Sequence, residues 1–187
     1  MNRAFFARDV VTVARALIGV TLTVSGVGGT IVETEAYDAT DPASHSFSGP
    51  SARNAAMFGP AGTAYVYRIY GLHHCLNVTC GEGAAVLIRA LAPTDSIAVM
   101  RMRRATSQPD ALLCAGPGRL CKALGIDLAF DATPLDAPPF AWRNRHTEPL
   151  IAAGPRIGIT RAAEVPWRFV LQGSPSLSRR APPASRA

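Results

Sequence analysis

The chain predicts an α+β fold in a single domain, and three observations carry that expectation. Short strand-like runs (21–24, 30–36, 63–69, 74–80 and 85–91) are separated by glycine-bearing turns. Helical periodicity appears in three other stretches, outside those runs, rather than alternating strictly with them. Within 187 residues there is no internal repeat and no linker-like composition shift, and a chain that is 48% hydrophobic and 17% charged has enough apolar material for one core.

Taken in order, Asp9 is placed to cap a helix from Val10 to about Leu17, with Val10, Val13, Ala14 and Leu17 as its apolar stripe and Gly19 as its stop. Thr21–Val24 and Thr30–Ala36 read as a hairpin joined by the turn-rich Ser25–Gly29. Residues 38–62, rich in Gly, Pro, Ser, Ala and Asn, form a long loop of the kind that usually carries function in a compact domain. Three strands follow, split at Gly71 and at Gly81–Gly83. Pro93-Thr94-Asp95 reads as the opening of a helix to about Arg104, whose arginine-rich last turn suits the helix dipole. Pro117 starts another helix and Gly125 ends it. The proline-bearing stretch 127–149 reads as irregular, 157–159 and 168–171 as late strands, and the tail (178–187) as disordered beyond an ordered region of about 5–177.

A net charge of +6 points to an anionic partner, nucleic acid being the commonest. Eighteen of the 19 basic residues are arginine, and Lys122 is the only lysine, so a Schiff-base mechanism has little to work with and water is the expected nucleophile. No apolar run approaches the roughly 20 residues that span a bilayer, and the first residues are too polar for a secretory signal. The expectation is a cytoplasmic protein without a membrane partner. Cys75, Cys80, Cys114 and Cys121 lack the spacing of structural zinc sites and read as reduced, mostly buried thiols, with no metal expected.

The chemistry concentrates between residues 33 and 70. All four tyrosines, Tyr37, Tyr65, Tyr67 and Tyr70, fall there, and Glu35 precedes the first by two positions. Tyrosine rings are stacking surfaces with one polar edge, and a neighbouring carboxylate can activate water. Strand alternation puts Ile31, Glu33, Glu35 and Tyr37 on one face and Val32, Thr34 and Ala36 on the other. Tyr65 and Tyr67 share a face, while Tyr70 lies just before the bend at Gly71. A hydrolase acting on a planar ring such as a nucleobase fits this set; a solvated strand face fits the two glutamates equally well.

Several segments in register sharpen the choice. Glu33–Tyr37, Ala43–Ser46, Arg53–Phe58 and Gly62–Gly71 are followed by Asn77, Val86–Leu91, Cys114–Cys121 and Arg156–Ile159. In this order they resemble the alkyladenine (3-methyladenine) DNA glycosylases, over about residues 9 to 177. The resemblance implies a curved antiparallel sheet flanked by helices, with a protruding hairpin and a positive face for double-stranded DNA containing damaged bases. It implies no cofactor, a monomer, and association with the nucleoid. Carried over by position, Glu35 matches the general base and Arg89 a residue that helps it hold water. Tyr37, His45, Tyr67 and Asn77 match the pocket for the flipped base, and Tyr70 matches the wedge that intercalates in its place. Arg53, Arg68, His73 and Arg119 are the candidates for the DNA backbone.

The chain departs from the mammalian pattern in a loop between Tyr37 and His45 that is one residue shorter, in His73 where an aromatic is expected, and in a shorter segment 105–113. The reading implied is a monofunctional glycosylase that flips alkylated purines (3-methyladenine, 7-methylguanine, with hypoxanthine or ethenoadenine open) and hydrolyses their N-glycosidic bond. The competing readings are a catalytically silent binder of distorted DNA and a nucleoside hydrolase.

Overall fold

Strand pairing, not helix packing, sets the architecture. A computed structural model describes residues 1–182. Its eight strands are β1 (Thr21–Val24), β2 (Val27–Tyr37), β3 (Ala64–Ile69), β4 (His73–Gly81), β5 (Ala84–Asp95), β6 (Phe140–Arg143), β7 (Ile151–Gly154) and β8 (Arg168–Leu171). They form one curled, wholly antiparallel sheet in the order β3-β4-β5-β2-β1-β6, with β8 pairing β2 beyond the end of β1 and β7 closing on β8. Four α-helices accompany it: α1 (Arg3–Phe6), α2 (Val10–Leu17), α3 (Ile97–Arg104) and α4 (Pro117–Leu124). The α+β expectation holds.

The helices cover one face of the sheet. Asp9 caps α2 by accepting from the Thr12 amide at 2.8 Å, and Val10, Val13, Ala14 and Leu17 are all buried. The apolar side chains of that stripe contribute about 1.5–3 kcal/mol each. Thr34 locks α2 onto β2 by donating to the Ala14 carbonyl at 2.9 Å. Helix α4 begins at Pro117, ends on left-handed Gly125, and buries Leu120, Cys121, Ala123 and Leu124.

Four expectations about elements need correction. The first hairpin turns on Ser25-Gly26 alone, both at positive φ, and Gly28 and Gly29 already belong to β2. They are glycines for close approach: a Cβ on Gly28 would lie 2.0 Å from the Leu22 carbonyl oxygen, and one on Gly29 2.1 Å from that of Ala92. Across a register shift between Gly28 and Gly29, β5 runs on through Pro93 to Asp95, so α3 opens only after left-handed Ser96. Residues 157–159 are not a strand; the penultimate strand is β7, earlier in the chain. The stretch expected to be irregular (127–149) contributes β6, which pairs with β1.

A bulge in β2 decides which side chains face away from the helices. The β2–β5 register shifts between Ile31 and Glu33, so Ile31 joins the core with Ala36 rather than sharing a face with Glu33 and Glu35. Beyond the bulge, opposed residues line up across four strands: Glu35 faces Leu87, Leu87 faces Asn77, and Asn77 faces Tyr65. Cross-strand partners share a face, so this row belongs to the side that the helices leave uncovered.

Candidate active site

Glu33 and Glu35 are both fully buried, which a carboxylate tolerates only with charged and hydrogen-bonding partners. Glu35 has three. Its Oε2 accepts from the Tyr37 hydroxyl at 2.8 Å and from Arg89 Nη1 at 3.2 Å; its Oε1 accepts from the Ile157 amide at 2.8 Å. Glu33 is held separately. Its Oε1 accepts from Arg168 Nε at 2.7 Å and the Ser178 hydroxyl at 2.8 Å, and its Oε2 from the Ser178 amide at 2.6 Å. Arg89 stands between them, with Nε 3.3 Å from Glu33 Oε1. Two guanidiniums thus balance two carboxylates. For Arg89, burial works against the charge, but Glu35 and then Glu33 outweigh it and raise its pKa further.

Tyr37 is fixed from two sides. Its hydroxyl is spent on Glu35, and the Arg156 guanidinium carbon lies 4.7 Å from its ring centroid. Arg156 is itself buried, paired with Asp41 and donating to the Ala36 carbonyl at 2.9 Å. It ties the start of the long loop to the end of β2. Burial, then the charge of Glu35 and the hydrogen bond to it, drive the Tyr37 phenol well above its ordinary pKa, so it stays a donor.

His45, Tyr65 and Tyr67 form an aromatic cluster. The His45 and Tyr67 centroids are 4.6 Å apart at 72°, Tyr65 lies 5.5 Å from Tyr67, and His45 Nδ1 is 2.9 Å from the Tyr65 hydroxyl. Asn54 shapes the loop that presents His45, donating to the His45 and Gly49 carbonyls at 2.8 and 3.1 Å. Burial of the imidazole, then the nearby Arg53 cation, lower the His45 pKa and favour the neutral ring. Burial pushes the Tyr65 phenol up to about 12, with Asp131 adding to it, and raises that of Tyr67 further. Asn77, in the row it shares with Leu87 and Glu35, donates its amide to the Tyr65 carbonyl at 3.0 Å.

The other expected residues sit at the periphery. Tyr70 is 89% exposed at left-handed φ on the β3–β4 tip, beside Leu72, 74% exposed. Arg53, Arg68, His73 and Arg119 are all exposed. His73 rests on α4, where a Cβ on Gly118 would come within 2.9 Å of its own. A cleft of about 270 Å³ between hairpin and helix is lined by Leu72, His73, His74 and Lys122, so the lone lysine, distant in sequence, lies near the hairpin in space.

The structure therefore gathers Glu35, Arg89 and Tyr37 into one contact network and His45, Tyr65 and Tyr67 into a second, with Asn77 in the row that joins them. Sequence reasoning missed Arg168, Ser178 and the Ile157 amide. Arg156-Ile157 was visible only as part of a motif, and nothing local marks Arg168 or Ser178. Of the tail expected to be disordered, residues 178–182 are described, and Ser178 binds Glu33; residues 183–187 lie outside the described residues. The four cysteines are unpaired, three of them buried, and burial raises each thiol pKa. Among the described residues no helix is long and apolar enough to cross a membrane.

Comparison with known proteins bears on the same residues. The profile of the family described as methylpurine-DNA glycosylase (MPG) matches residues 4–175. A protein of Rhodopseudomonas palustris strain BisB18 is 58% identical over 182 residues, 96% of this chain and 90% of its own length. One of Rhizobium etli is 58% identical over 177 residues, covering 95% and 88%, and one of Nitrosospira multiformis 56% over 181, covering 93% and 91%. Each of the three bears the name "Putative 3-methyladenine DNA glycosylase". A match that runs through both glutamates, the tyrosine strand, the hairpin tip and Arg156 assigns the chain to the methylpurine-DNA glycosylase family.

Proposed function

We propose that this protein is a monofunctional DNA glycosylase that removes alkylated purines from duplex DNA and leaves an abasic site. One observation carries the reading: a fully buried carboxylate, Glu35, is oriented by three donors beside an aromatic cluster. Two donors saturate Oε2, while Oε1 accepts one and keeps a lone pair for a water. Glu35 is the general base, and its negative charge also favours the cationic sugar that develops as the bond breaks. Water attacks C1′, the bonding pair of the glycosidic bond leaves with the base, and the water proton passes to Glu35. A purine alkylated on a ring nitrogen is already cationic and departs neutral, so it needs no general acid.

Reaching C1′ requires taking the base out of the stack, which costs a few kcal/mol. Tyr70, exposed at a tip with no other packing duty, intercalates and offsets part of that cost. The extruded base lies against Tyr37, whose other face Arg156 covers, with His45 and Tyr67 opposite and Asn77 on the floor. An electron-rich aromatic site favours a cationic purine over a neutral one. Arg53, Arg68, His73 and Arg119 supply backbone contacts, and the protein works as a monomer.

The test is incubation with duplexes carrying one 7-methylguanine, 3-methyladenine, hypoxanthine or ethenoadenine, followed by alkaline cleavage, with Glu35→Gln as control. The reading requires base release by the wild type, strand breakage only after alkali, and loss of release in the variant. DNA binding without base release by the wild type would mark a silent binder. Release from free nucleosides with no salt-sensitive DNA affinity would mark a nucleoside hydrolase.

A further inference from the structure

Arg89 has two carboxylates within reach and hydrogen-bonds only one. Its Nε lies 3.3 Å from Glu33 Oε1, yet among the described residues this buried nitrogen has no hydrogen bond. An orphaned buried guanidinium N–H beside a carboxylate calls for an explanation. The oxygen it would use is already taken by Arg168 Nε at 2.7 Å and the Ser178 hydroxyl at 2.8 Å. The Ser178 hydroxyl also lies 3.4 Å from Arg89 Nη2.

We propose that Ser178 is a positioning residue for the reaction: by occupying Glu33 it keeps Arg89 committed to Glu35. The inference rests on the glycosylase reading above and adds a residue that touches neither DNA nor water in it. Ser178 holds Glu33 twice, through its amide at 2.6 Å and its hydroxyl at 2.8 Å. Arg168 anchors the same strap by donating to the Arg179 carbonyl at 3.0 Å and that of Arg180 at 3.3 Å. The C-terminal segment is thus tied to the network at both Glu33 and Arg168. Without the hydroxyl, a lone pair on Glu33 Oε1 opens to Arg89 Nε. The guanidinium then rotates toward Glu33, and Glu35 loses part of its direct cationic partner.

The consequence is read in the acid limb of the rate profile, because Glu35 must be ionised to act. The groups facing Glu35 are Tyr37 on its own strand, Arg89 on β5, Cys75 on β4 and Arg168 on β8, with Glu33 and Arg156 next beyond. Of these, the Ser178 hydroxyl touches Glu33 and Arg89, and Arg89 is the one of the two that bonds Glu35. Single-turnover release of 7-methylguanine from a duplex, across pH, is the measurement. Ser178→Ala is expected to slow release on the order of tenfold through misplacement of Arg89, to move the acid limb to higher pH, and to leave lesion-DNA affinity unchanged. Ser178→Thr, which keeps a hydroxyl, restores both rate and limb. A limb that stays put, or equal losses in the alanine and threonine variants, overturns the proposal. If Ser178→Ala melts below the assay temperature, Glu33→Gln decides instead: removing the competing charge must move the limb to lower pH, and no movement counts against the idea. Wild-type inactivity on every lesion duplex would refute the glycosylase reading itself, a result distinct from any of these.

Discussion

The carboxylate network and the β3–β4 tip are opposite kinds of site. Around Glu33 and Glu35 each carboxylate oxygen accepts from the protein, burial is complete, and five elements of the chain meet: β2, β5, β8, the loop at Ile157 and the strap at Ser178. At Tyr70 the residue is 89% exposed and its backbone sits at left-handed φ. The first region has its organisation built in by the protein alone, the condition that the proposed electrostatic catalysis requires. The second leaves apolar surface exposed that only a partner can cover. Mutation should therefore cost stability in one region and function alone in the other.

Arg89→Ala tests the buried side hardest. It strips the shared cation from two buried carboxylates, and breaking a buried pair by removing one member costs about 3–5 kcal/mol. Urea unfolding should show the free energy of unfolding falling by that amount, through a lower midpoint at unchanged slope, and a loss under about 1 kcal/mol would mean that Arg168 alone balances both charges. Glu35→Gln separates chemistry from folding. The amide keeps the shape, and excision should fall by about 10²–10⁴-fold, the span of general-base catalysis, while lesion-DNA affinity persists. Activity within tenfold of wild type would remove Glu35 from the reaction.

Tyr70→Ala probes the exposed side, where the expected effects invert. Stability should change by less than about 0.5 kcal/mol, as at most surface positions. Excision from duplex DNA should slow about tenfold, equivalent to about 1.4 kcal/mol of lost support for the flipped state, whereas excision from single-stranded DNA should not change. Equal slowing on both substrates would mean that Tyr70 acts on the base and not on the stack.

The contrast also explains what could be read in the sequence. Local features were legible because their cause is local: the Asp9 cap, the apolar stripe of α2, Pro117 and Gly125 bounding α4, and the tyrosine alternation in β3. Gly28 and Gly29 misled because glycine serves turns and close strand contacts alike, and only the carbonyls of Leu22 and Ala92, one of them more than sixty residues away, decide between the two. The bulge that moves Ile31 into the core is likewise invisible without its partner strand. Of the candidate site, the residues on β2 and β3 stood out as a pattern, and the resemblance added Arg89 and Asn77. Arg168 and Ser178 meet Glu33 across separations of 135 and 145 residues, and no spacing rule spans that.

His45 lies between the two regions, on a loop open to solvent but with its ring packed on Tyr65 and Tyr67, and it gives the smallest and most specific test. Burial of that ring is the main reason its pKa is low, and Arg53 is the second. Arg53→Ala should therefore raise the His45 pKa without restoring it to the ordinary value of 6.5, measurable by NMR titration of the ring protons. The sign for stability follows from linkage. With the folded pKa below the unfolded one, the unfolded chain takes up the proton first, so stability falls as pH drops below about 6.5 until the folded pKa is passed. Arg53→Ala narrows that window from its lower end and makes the loss smaller. An unchanged titration would show that Arg53 points away from the imidazole and would free it to serve DNA alone.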